Sequence, residues 1–443
     1  MSPARSTTVD LKAVLTAPLG IEASDPSPVS ERKGVPGTQV VRVQIAKALL
    51  LLVIVVFAFY PQSTGGVINE GMPLYVYYGI ASGLALLYLL LGSIKPHRLA
   101  VSLVLLVYMW FVSLVSVQAL DSQVSLARLV PVTVVLILFS EDIFREVPHT
   151  FLARVLEALT IVVVAWNFGL ILGVNSIINF TIRYYSQFTT FTVETQIAGG
   201  KPIFTFGVHT HAAFFYMLLF YMWYRTVLGI HSRKRYYVYM VVLLIDTTQL
   251  SSYTAALFAG IMAVLLLRRL WVKSVTGALG VLSVGLVVFV MRFQQIMSYV
   301  MMALTDPEHG LAPRYLNIQY LYATNFEVLR IVPLGIGFTI PRQFDIYYTD
   351  SGYIVYYTMG GVVFTVAIYC LLLWFLRSNL RRYWGMMLFF MLFELATPSL
   401  LYVKTVLILV FAIPFLSSVD DPGRAKRRVV ETARVGVHTG MDE

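Results

Sequence analysis

Long apolar segments alternate with short polar segments along most of this chain of 443 residues. Each apolar segment is roughly 20 residues long, the length of an α-helix that crosses the hydrocarbon core of a bilayer. The pattern predicts about twelve membrane-spanning helices. Their approximate bounds are 43–60, 72–92, 99–118, 124–139, 151–174, 210–229, 236–250, 252–267, 274–291, 352–376, 384–399 and 401–418.

Two of these predicted helices, 236–250 and 252–267, lie in one continuous apolar stretch. Its length suits two short helices joined by a polar turn at residues 249–252, and a single long tilted helix is the alternative. The order of the segments shows no internal repeat of the kind found in many transporters.

Composition supports a membrane protein and excludes several other classes. Hydrophobic residues make up 58% of the chain and charged residues 13%, with a mean hydropathy of +0.76. A soluble chain of this length could not bury so much apolar surface in one core, so we expect an all-α integral membrane protein. Cys370 is the single cysteine, which excludes an intrachain disulfide and a cysteine-based metal site. The formal charge of +10 does not indicate nucleic acid, because most basic residues lie in short loops and in the C-terminal tail.

The distribution of lysine and arginine predicts the orientation of the chain. One set of alternate loops is rich in basic residues, as at 233–235, whereas the loops at 61–71 and 119–123 contain none. By the positive-inside rule both termini are then cytoplasmic. The predicted organisation is a disordered cytoplasmic leader at 1–41, a polytopic membrane domain at 42–418 and a basic cytoplasmic tail at 419–443.

Two long external loops, at about 175–209 and 292–351, carry basic residues against this bias. The basic residues are Arg183 and Lys201 in the first loop, and Arg292, Arg314, Arg330 and Arg342 in the second. One interpretation is that these residues pair with acidic residues of the same loops, such as Glu194 and Asp350, or are solvated in a wet loop. The other is an anion site near the membrane surface, because a guanidinium is permanently charged and matches the oxygens of a phosphate.

The second external loop is also rich in aromatic residues. They are Tyr315, Tyr320, Tyr322, Phe326, Phe338, Phe344, Tyr347 and Tyr348. A segment this aromatic is not typical of disorder. Aromatic faces suit the stacking of sugar rings, and an interfacial aromatic belt is the alternative interpretation.

Several ionisable residues lie at or within predicted helices. His209 and His211 open the predicted helix at 210–229, but residues spaced i, i+2 do not share a helix face, which disfavours a metal pair. Each is a candidate base or sugar hydrogen-bond donor, with a polar helix entrance as the alternative. The other such residues are Arg128, Asp246 and Lys404, which are functional candidates that could also snorkel or form interior ion pairs.

Four segments resemble, in order, the motifs of the O-antigen polymerase and ligase superfamily of membrane glycosyltransferases. They are Phe204 to His211, Leu250 to Ala256, Arg314 with Leu334 to Phe338, and Asp350-Ser351 followed after nine residues by Gly361. Members usually have an arginine where this chain has Tyr253, and ligases have a histidine where it has Asp350. The resemblance covers roughly residues 150–400 and favours the polymerase branch over the ligase branch.

The resemblance implies a GT-C-like fold and a metal-independent enzyme without a cofactor in the bacterial inner (cytoplasmic) membrane. Its donor would be a glycan on polyprenyl pyrophosphate at the external face. Its product would be an O-antigen of lipopolysaccharide, a capsule or an exopolysaccharide. The implied partners are lipid-linked glycans and the bilayer, with a chain-length regulator as an optional addition and no nucleic acid. The chain has no P-loop, in keeping with a donor that is not a nucleotide sugar.

The site residues expected on this basis have two roles. Arg314 leads as the cation that stabilises the leaving pyrophosphate, and Asp350 leads as the base that receives the proton of the acceptor hydroxyl. His209 and His211 are the further catalytic candidates. The predicted substrate-binding residues are Arg183, Arg330, Arg342, Glu194, Ser351 and Tyr353.

Other functions stay open at this point. An O-antigen ligase, which transfers a lipid-linked glycan to another acceptor, should carry a histidine at position 350. A flippase or transporter for lipid-linked glycans needs no catalytic external loop. A purely structural membrane protein would give the external arginines no purpose.

Overall fold

The computed structural model describes most of the predicted membrane domain. The described residues are 37–63, 70–91, 95–139, 147–186, 190–228, 233–277, 333–341, 351–376, 380–395 and 397–419, together with isolated positions between 279 and 330. Residues 44–443 belong to one compact unit and residues 1–43 to another. Most of the predicted leader and almost all of the predicted tail therefore lie outside the described residues.

The described part of the chain consists mainly of α-helices. In chain order they are α1 (Gly37–Ala58), α2 (Leu74–Leu91), α3 (Pro96–Leu120), α4 (Leu126–Phe139), α5 (His149–Ile171), α6 (Asn175–Tyr185), α7 (Thr190–Ala198), α8 (His209–Leu228), α9 (Lys234–Gln249), α10 (Tyr253–Lys273), α11 (Gly352–Leu376), α12 (Leu380–Glu394) and α13 (Val403–Ser418). A short 3₁₀ helix, Ser399–Leu401, precedes α13. Every predicted segment other than 274–291 coincides with one of these helices, and the described residues within 275–290 are also helical.

Five of the described helices are long and apolar enough to cross a membrane. They are α2, α3, α5, α10 and α11. Shorter apolar helices occupy Ile45–Ala58, Leu126–Leu138, Tyr383–Glu394 and Val403–Ser418. The chain therefore has the composition and helix lengths of an α-helical membrane protein, whereas the number of about twelve spans stays a prediction.

The continuous apolar stretch at 236–267 forms two helices. Ser251 adopts a left-handed conformation with φ of 49°, which ends α9. The hydroxyl of Ser252 then caps α10 by accepting a hydrogen bond from the Ala255 amide at 3.2 Å. The polar turn is therefore confirmed, and the single long helix is wrong.

Two short strand pairs modify the all-α expectation. Strand β1 (Gln62–Ser63) runs parallel to β2 (Met72–Pro73), and β3 (Ser122–Val124) runs antiparallel to β4 (Thr339–Pro341). The second pair joins the turn between α3 and α4 to the segment that begins at residue 333. The predicted external loop 175–209 also differs from expectation, since it contains α6 and α7.

Helix α8 is enclosed by its neighbours. Residues 211–224 are all buried, and the helix contacts α9, α10, α12 and α13. Residues 212–224 are apolar or aromatic around the whole circumference, as expected of a helical segment without a solvent-facing side. Helix α3 differs, because it exposes large apolar side chains such as Val104, Val107 and Phe111. Such side chains suit contact with lipid tails.

Candidate functional site

Three of the predicted site residues lie outside the described residues. They are Arg314, Arg342 and Asp350. Their roles stay predictions. Arg330 is described only as an exposed helical position. The other predicted residues fall in two places: Arg183 and Glu194 on α6 and α7, and His209, His211, Ser351 and Tyr353 at the beginnings of α8 and α11.

Arg183 forms an exposed ion pair near the end of α6. Its Nη2 lies 2.5 Å from Oε2 of Glu70, and the Glu70 amide donates to the Arg183 carbonyl at 3.0 Å. The hydrogen bond that the Arg183 guanidinium donates to the Glu70 carboxylate raises the pKa of the guanidinium. Arg183 is thus paired with an acid that precedes α2, rather than with an acid of its own loop such as Glu194. Exposed pairs of this kind contribute little to stability.

Glu194 lies on the exposed side of α7 and lines a cleft of about 410 Å³. The other described lining residues are uncharged, and most are apolar, such as Ile178 and Ile182. Lys201 follows α7 in the chain, and desolvation lowers the pKa of its amine. This cleft does not have the basic lining that an anion site requires.

The motif segment 334–338 is fixed against α3 and α11 by its backbone. The Gly337 amide donates to the Met359 carbonyl at 2.7 Å, and the Phe338 amide donates to Ser113 Oγ at 3.0 Å. Gly337 has a φ of 69°, and a Cβ at this position would lie 2.5 Å from Cα of Ser113. Only glycine permits this approach. The segment therefore anchors the end of the predicted external loop.

Polar side chains of the preceding helices hold the same region. Arg128 donates a hydrogen bond to the Thr339 carbonyl. Tyr108 donates to the Gly360 carbonyl at 2.9 Å, immediately before Gly361 interrupts the helical geometry of α11 with a φ of 65°. Arg128, a functional candidate from the sequence, thus donates to a backbone carbonyl. Gly361, the glycine that follows Asp350-Ser351 after nine residues, is the position where α11 kinks.

A buried polar cluster lies where the first turns of α8 and α13 meet the loop that precedes α8. Lys404 is 3% exposed, and its Nζ donates to the Thr205 carbonyl at 2.8 Å. The same Nζ lies 5.1 Å from the ring centre of Phe206 and 5.3 Å from that of Tyr185. Within the described residues, Lys404 has no acidic partner. A buried cation in this state is unusual.

His211 completes this group, and we define the Lys404 cluster as the side chains of Thr205, His211 and Lys404. The His211 ring is buried, with its centre 4.4 Å from that of Tyr402. His211 and Lys404 lie in the first turns of α8 and α13, and these two helices contact each other. Nε2 of His211 and Oγ1 of Thr205 are both buried and have no hydrogen-bond partner among the described residues. The cluster therefore has unused hydrogen-bonding capacity.

Glu394, the last residue of α12, is fully buried. Its Oε1 accepts hydrogen bonds from the Ser399 amide at 3.2 Å, from the Ser399 hydroxyl, and from the Tyr356 hydroxyl at 3.3 Å. Its Oε2 has no hydrogen-bond partner in the part of the chain that the structure describes. Gly352 faces this oxygen, because a Cβ at Gly352 would lie 1.7 Å from Oε2. A half-bonded carboxylate thus lies beside the residue that follows Asp350-Ser351.

Glu394 and the Lys404 cluster occupy one end of the bundle, the end that the charge distribution predicts to be external. The ring centre of Phe393, which precedes Glu394, lies 5.6 Å from that of His211. Tyr353 joins α11 to α12 at this end by donating to the Met391 carbonyl at 2.9 Å. We call this region, defined by His211, Gly352, Glu394 and Lys404, the Lys404 end.

A second buried acid lies in a polar chain that crosses three helices. Nδ2 of Asn167 on α5 donates to Oδ2 of Asp246 on α9 at 2.7 Å. The hydroxyl of Tyr216 on α8 lies 3.0 Å from Oδ1 of Asn167 and also contacts the Pro202 carbonyl. Asp246 has no basic partner among the described residues. This intramembrane candidate is therefore held by hydrogen bonds rather than by an ion pair.

Sequence reasoning missed Glu394 and gave Lys404 no partner. The signal for Glu394 was present, since it is an acidic residue within the predicted helix at 384–399 and Pro398 follows shortly after it. What the sequence does not contain is the convergence of Gly352, Tyr356 and Ser399 on this carboxylate, because that depends on how three segments pack.

The described residues contain no group of three or more His, Cys, Asp or Glu side chains that could hold a metal ion. No family model, curated protein or solved structure matches the chain. The resemblance to membrane glycosyltransferases therefore depends on the sequence motifs alone. The geometry defines a coarser class: an α-helical membrane protein with a buried acid, histidine and lysine at one end.

Proposed function

We propose that this protein is a membrane glycosyltransferase that polymerises polyprenyl-pyrophosphate-linked oligosaccharide repeat units at the external face of the bacterial cytoplasmic membrane. One observation carries the proposal. Three buried titratable side chains, on Glu394, His211 and Lys404, lie at one end of the bundle, and the carboxylate of Glu394 lies directly beside Gly352. Gly352 directly follows the Asp350-Ser351 segment that the sequence predicts to be catalytic. Perturbed titratable groups of this kind concentrate at functional sites.

The reaction requires two kinds of protein group. The acceptor hydroxyl oxygen attacks the anomeric carbon of the donor glycan, the bond from that carbon to the pyrophosphate oxygen breaks, and the hydroxyl proton goes to a base. The unbonded Oε2 of Glu394 is an acceptor for that proton, and Asp350 is the second candidate, from the sequence alone. Polyprenyl pyrophosphate leaves with additional negative charge, which Arg314 and the other external arginines would stabilise without a metal.

The membrane environment fits this substrate class. A polyprenyl-linked donor stays in the bilayer, so an enzyme that acts on it needs a site at the membrane surface rather than a nucleotide-binding domain. The Lys404 end is formed by the terminal turns of α8, α11, α12 and α13. The proposed topology, with about twelve spans and cytoplasmic termini, brings this end to the external side.

The test is reconstitution of the purified full-length protein in liposomes. The substrate would be lipid-linked repeat units isolated from a strain of the source organism that lacks this protein, with no nucleotide sugar added. We expect a ladder of polymer lengths on a gel with the wild type, and its loss with Arg314→Ala. Glu394→Gln, which removes the charge but little volume, should lower the initial rate about 100-fold or more.

The matched control is Glu157→Gln, because Glu157 is an acid at the opposite end of the bundle, bonded to Arg235. It should retain the wild-type rate. Absence of a ladder with the wild type would overturn the polymerase proposal. A ladder that persists at the wild-type rate in Glu394→Gln would keep the function and remove Glu394 from the site.

A second candidate function is a flippase or transporter for the same lipid-linked glycans. The observation that favours it is the buried chain of Asp246, Asn167 and Tyr216, since acids inside a membrane domain often lie on transport pathways. A translocation assay on the same liposomes, using a fluorescent lipid-linked glycan and an impermeant quencher, separates the two. A transporter would move the probe across the bilayer without forming polymer.

A further inference from the structure

Two of the three side chains of the Lys404 cluster carry a buried polar atom that has no hydrogen-bond partner among the described residues. The side-chain oxygens of Gln196 and Thr205 and Nε2 of His211 are buried and have no hydrogen-bond partner among the described residues. Gln196 lies nearby, since its Nε2 is 3.5 Å from the Gly207 carbonyl in the loop before α8, but its orphaned Oε1 can only accept a hydrogen bond and does not contribute to binding an anion. Buried polar groups are normally bonded to protein or to another molecule. The two orphaned atoms that can donate a hydrogen bond, Oγ1 of Thr205 and Nε2 of His211, therefore suit an acceptor from outside the chain.

The charge of the region favours an anion. Lys404 uses one of its three donors on the Thr205 carbonyl and forms no ion pair with another described residue. A lysine buried without a counter-ion is costly, and a bound anion removes that cost. The hydroxyl of Thr205 and the imidazole of His211 can both donate a hydrogen bond to the same anion.

Two helix N-termini add to this positive potential. Helix α8 begins at His209 and α13 at Val403, so His211 and Lys404 lie in the first turns of the two helices. The N-terminus of a helix carries partial positive charge and free amide donors, and it favours anions. Residues 208–210 and Tyr402 are partly exposed, so the cluster lies within one helical turn of the surface.

We propose that the Lys404 cluster binds a phosphate-bearing anion. Phosphate is favoured over a single carboxylate because its three or more acceptor oxygens match the number of donors that converge here. The identification of this anion with the diphosphate of the lipid-linked donor rests on the proposed function. On that basis Lys404 holds the leaving group, and Glu394 acts at the acceptor.

The experiment measures binding to the full-length protein in nanodiscs by microscale thermophoresis. The probes are polyprenyl pyrophosphate, inorganic pyrophosphate and the uncharged polyprenol. Lys404→Met should lower the affinity for both phosphate-bearing probes about 10- to 100-fold, because a charge-assisted contact to the phosphate is lost. The affinity for polyprenol should not change. Lys404→Arg keeps the charge and should recover most of the affinity. Arg235→Gln, which removes a cation at the opposite end, is the matched control and should have no effect.

A milder variant keeps the test valid where Lys404→Met folds poorly. Thr205→Val preserves the backbone carbonyl that Lys404 contacts and removes only the orphaned hydroxyl. Thr205→Val should lower the affinity for the phosphate-bearing probes about three- to tenfold. If the cluster has only a structural role, the affinity should not change. Binding of the lipid probe but not of inorganic pyrophosphate would show that the lipid tail is required as well.

Two results overturn the proposal: wild-type affinity for the phosphate probes in both Lys404→Met and Thr205→Val, or no binding of either phosphate probe by the wild type. These outcomes are separable from failure of the proposed function. Binding without a polymer ladder would leave the anion site in place and reject the polymerase. A ladder with unchanged affinity in the variants would reject the anion site alone.

Discussion

Two glutamates at opposite ends of the bundle are bonded in different ways. Glu157 is on α5, and its side chain is 18% exposed. Its two carboxylate oxygens are both bonded, to Arg235 and to Tyr239, each at 2.9 Å. Glu394 is fully buried, has no cationic partner among the described residues, and has one oxygen without a hydrogen bond.

The same contrast holds for the cations. Arg235 is 46% exposed and paired with Glu157, whereas Lys404 is 3% exposed and contacts a carbonyl and two aromatic rings. Charges that determine topology can stay solvated and paired, at little cost. Charges that are buried and incompletely bonded lower the stability of the fold. A protein is therefore expected to retain such charges mainly where they have a function. The comparison therefore directs attention to the Lys404 end.

The largest effect is expected from Gly352→Ala. A Cβ at this position would overlap Oε2 of Glu394 and would also lie 3.0 Å from Cα of Pro398, so the carboxylate must move. The polymer-forming rate should fall about 100-fold or more, as expected when a base is displaced. Gly83→Ala is the control, because a Cβ there meets nothing within 4 Å. A wild-type rate in Gly352→Ala, measured on folded protein, would contradict the role given to Glu394.

A smaller effect is expected from Asp246→Asn. The amide that replaces the carboxylate can still accept a hydrogen bond from Asn167, so the packing of α5 against α9 is preserved. Under the polymerase proposal the polymer-forming rate should stay within about threefold of the wild type, because the hydrogen bond from Asn167 is retained and residue 246 lies outside the proposed site. Initial rates in the liposome assay provide the measurement. A loss as large as that of Glu394→Gln would make Asp246 part of the working site and would favour the transport hypothesis.

The smallest effect is expected from Arg235→Gln. This change removes a partly exposed ion pair with Glu157, which should contribute no more than about 1 kcal/mol to the free energy of unfolding. Thermal unfolding in detergent, followed by intrinsic tryptophan fluorescence, should show a small shift in Tm, and the polymer-forming rate should not change. A marked loss of activity would mean that the two ends of the bundle are not functionally distinct.

The helices could be predicted from the sequence because each depends on a local pattern. Apolar segments of sufficient length predicted nearly every described helix, and the polar residues at 249–252 indicated the turn that separates α9 from α10. Helices α6 and α7 were missed because they lie in a segment with too few apolar residues to resemble a membrane span. The amphipathic pattern of α6 was the signal that could have identified that helix, whereas α7 has no comparable pattern.

The site could be predicted only in part, because its decisive contacts join residues far apart in the chain. His211 was a candidate from its place at a helix entrance, and Lys404 from its place inside an apolar segment. Neither pattern shows that Lys404 reaches the Thr205 carbonyl, which lies 199 positions away. The role of the 334–338 motif was equally hidden, since Gly337 is required by its approach to Ser113 on α3.

The position of Lys404 in the chain has a consequence for biogenesis. Helix α13 is the last described helix to leave the ribosome, after α8, against which it packs, has already been made. Until α13 inserts, Thr205 and His211 are in the membrane without Lys404 beside them. A chain stalled before residue 403 would therefore carry most of the described hydrophobic helices but would lack the lysine of the proposed anion site.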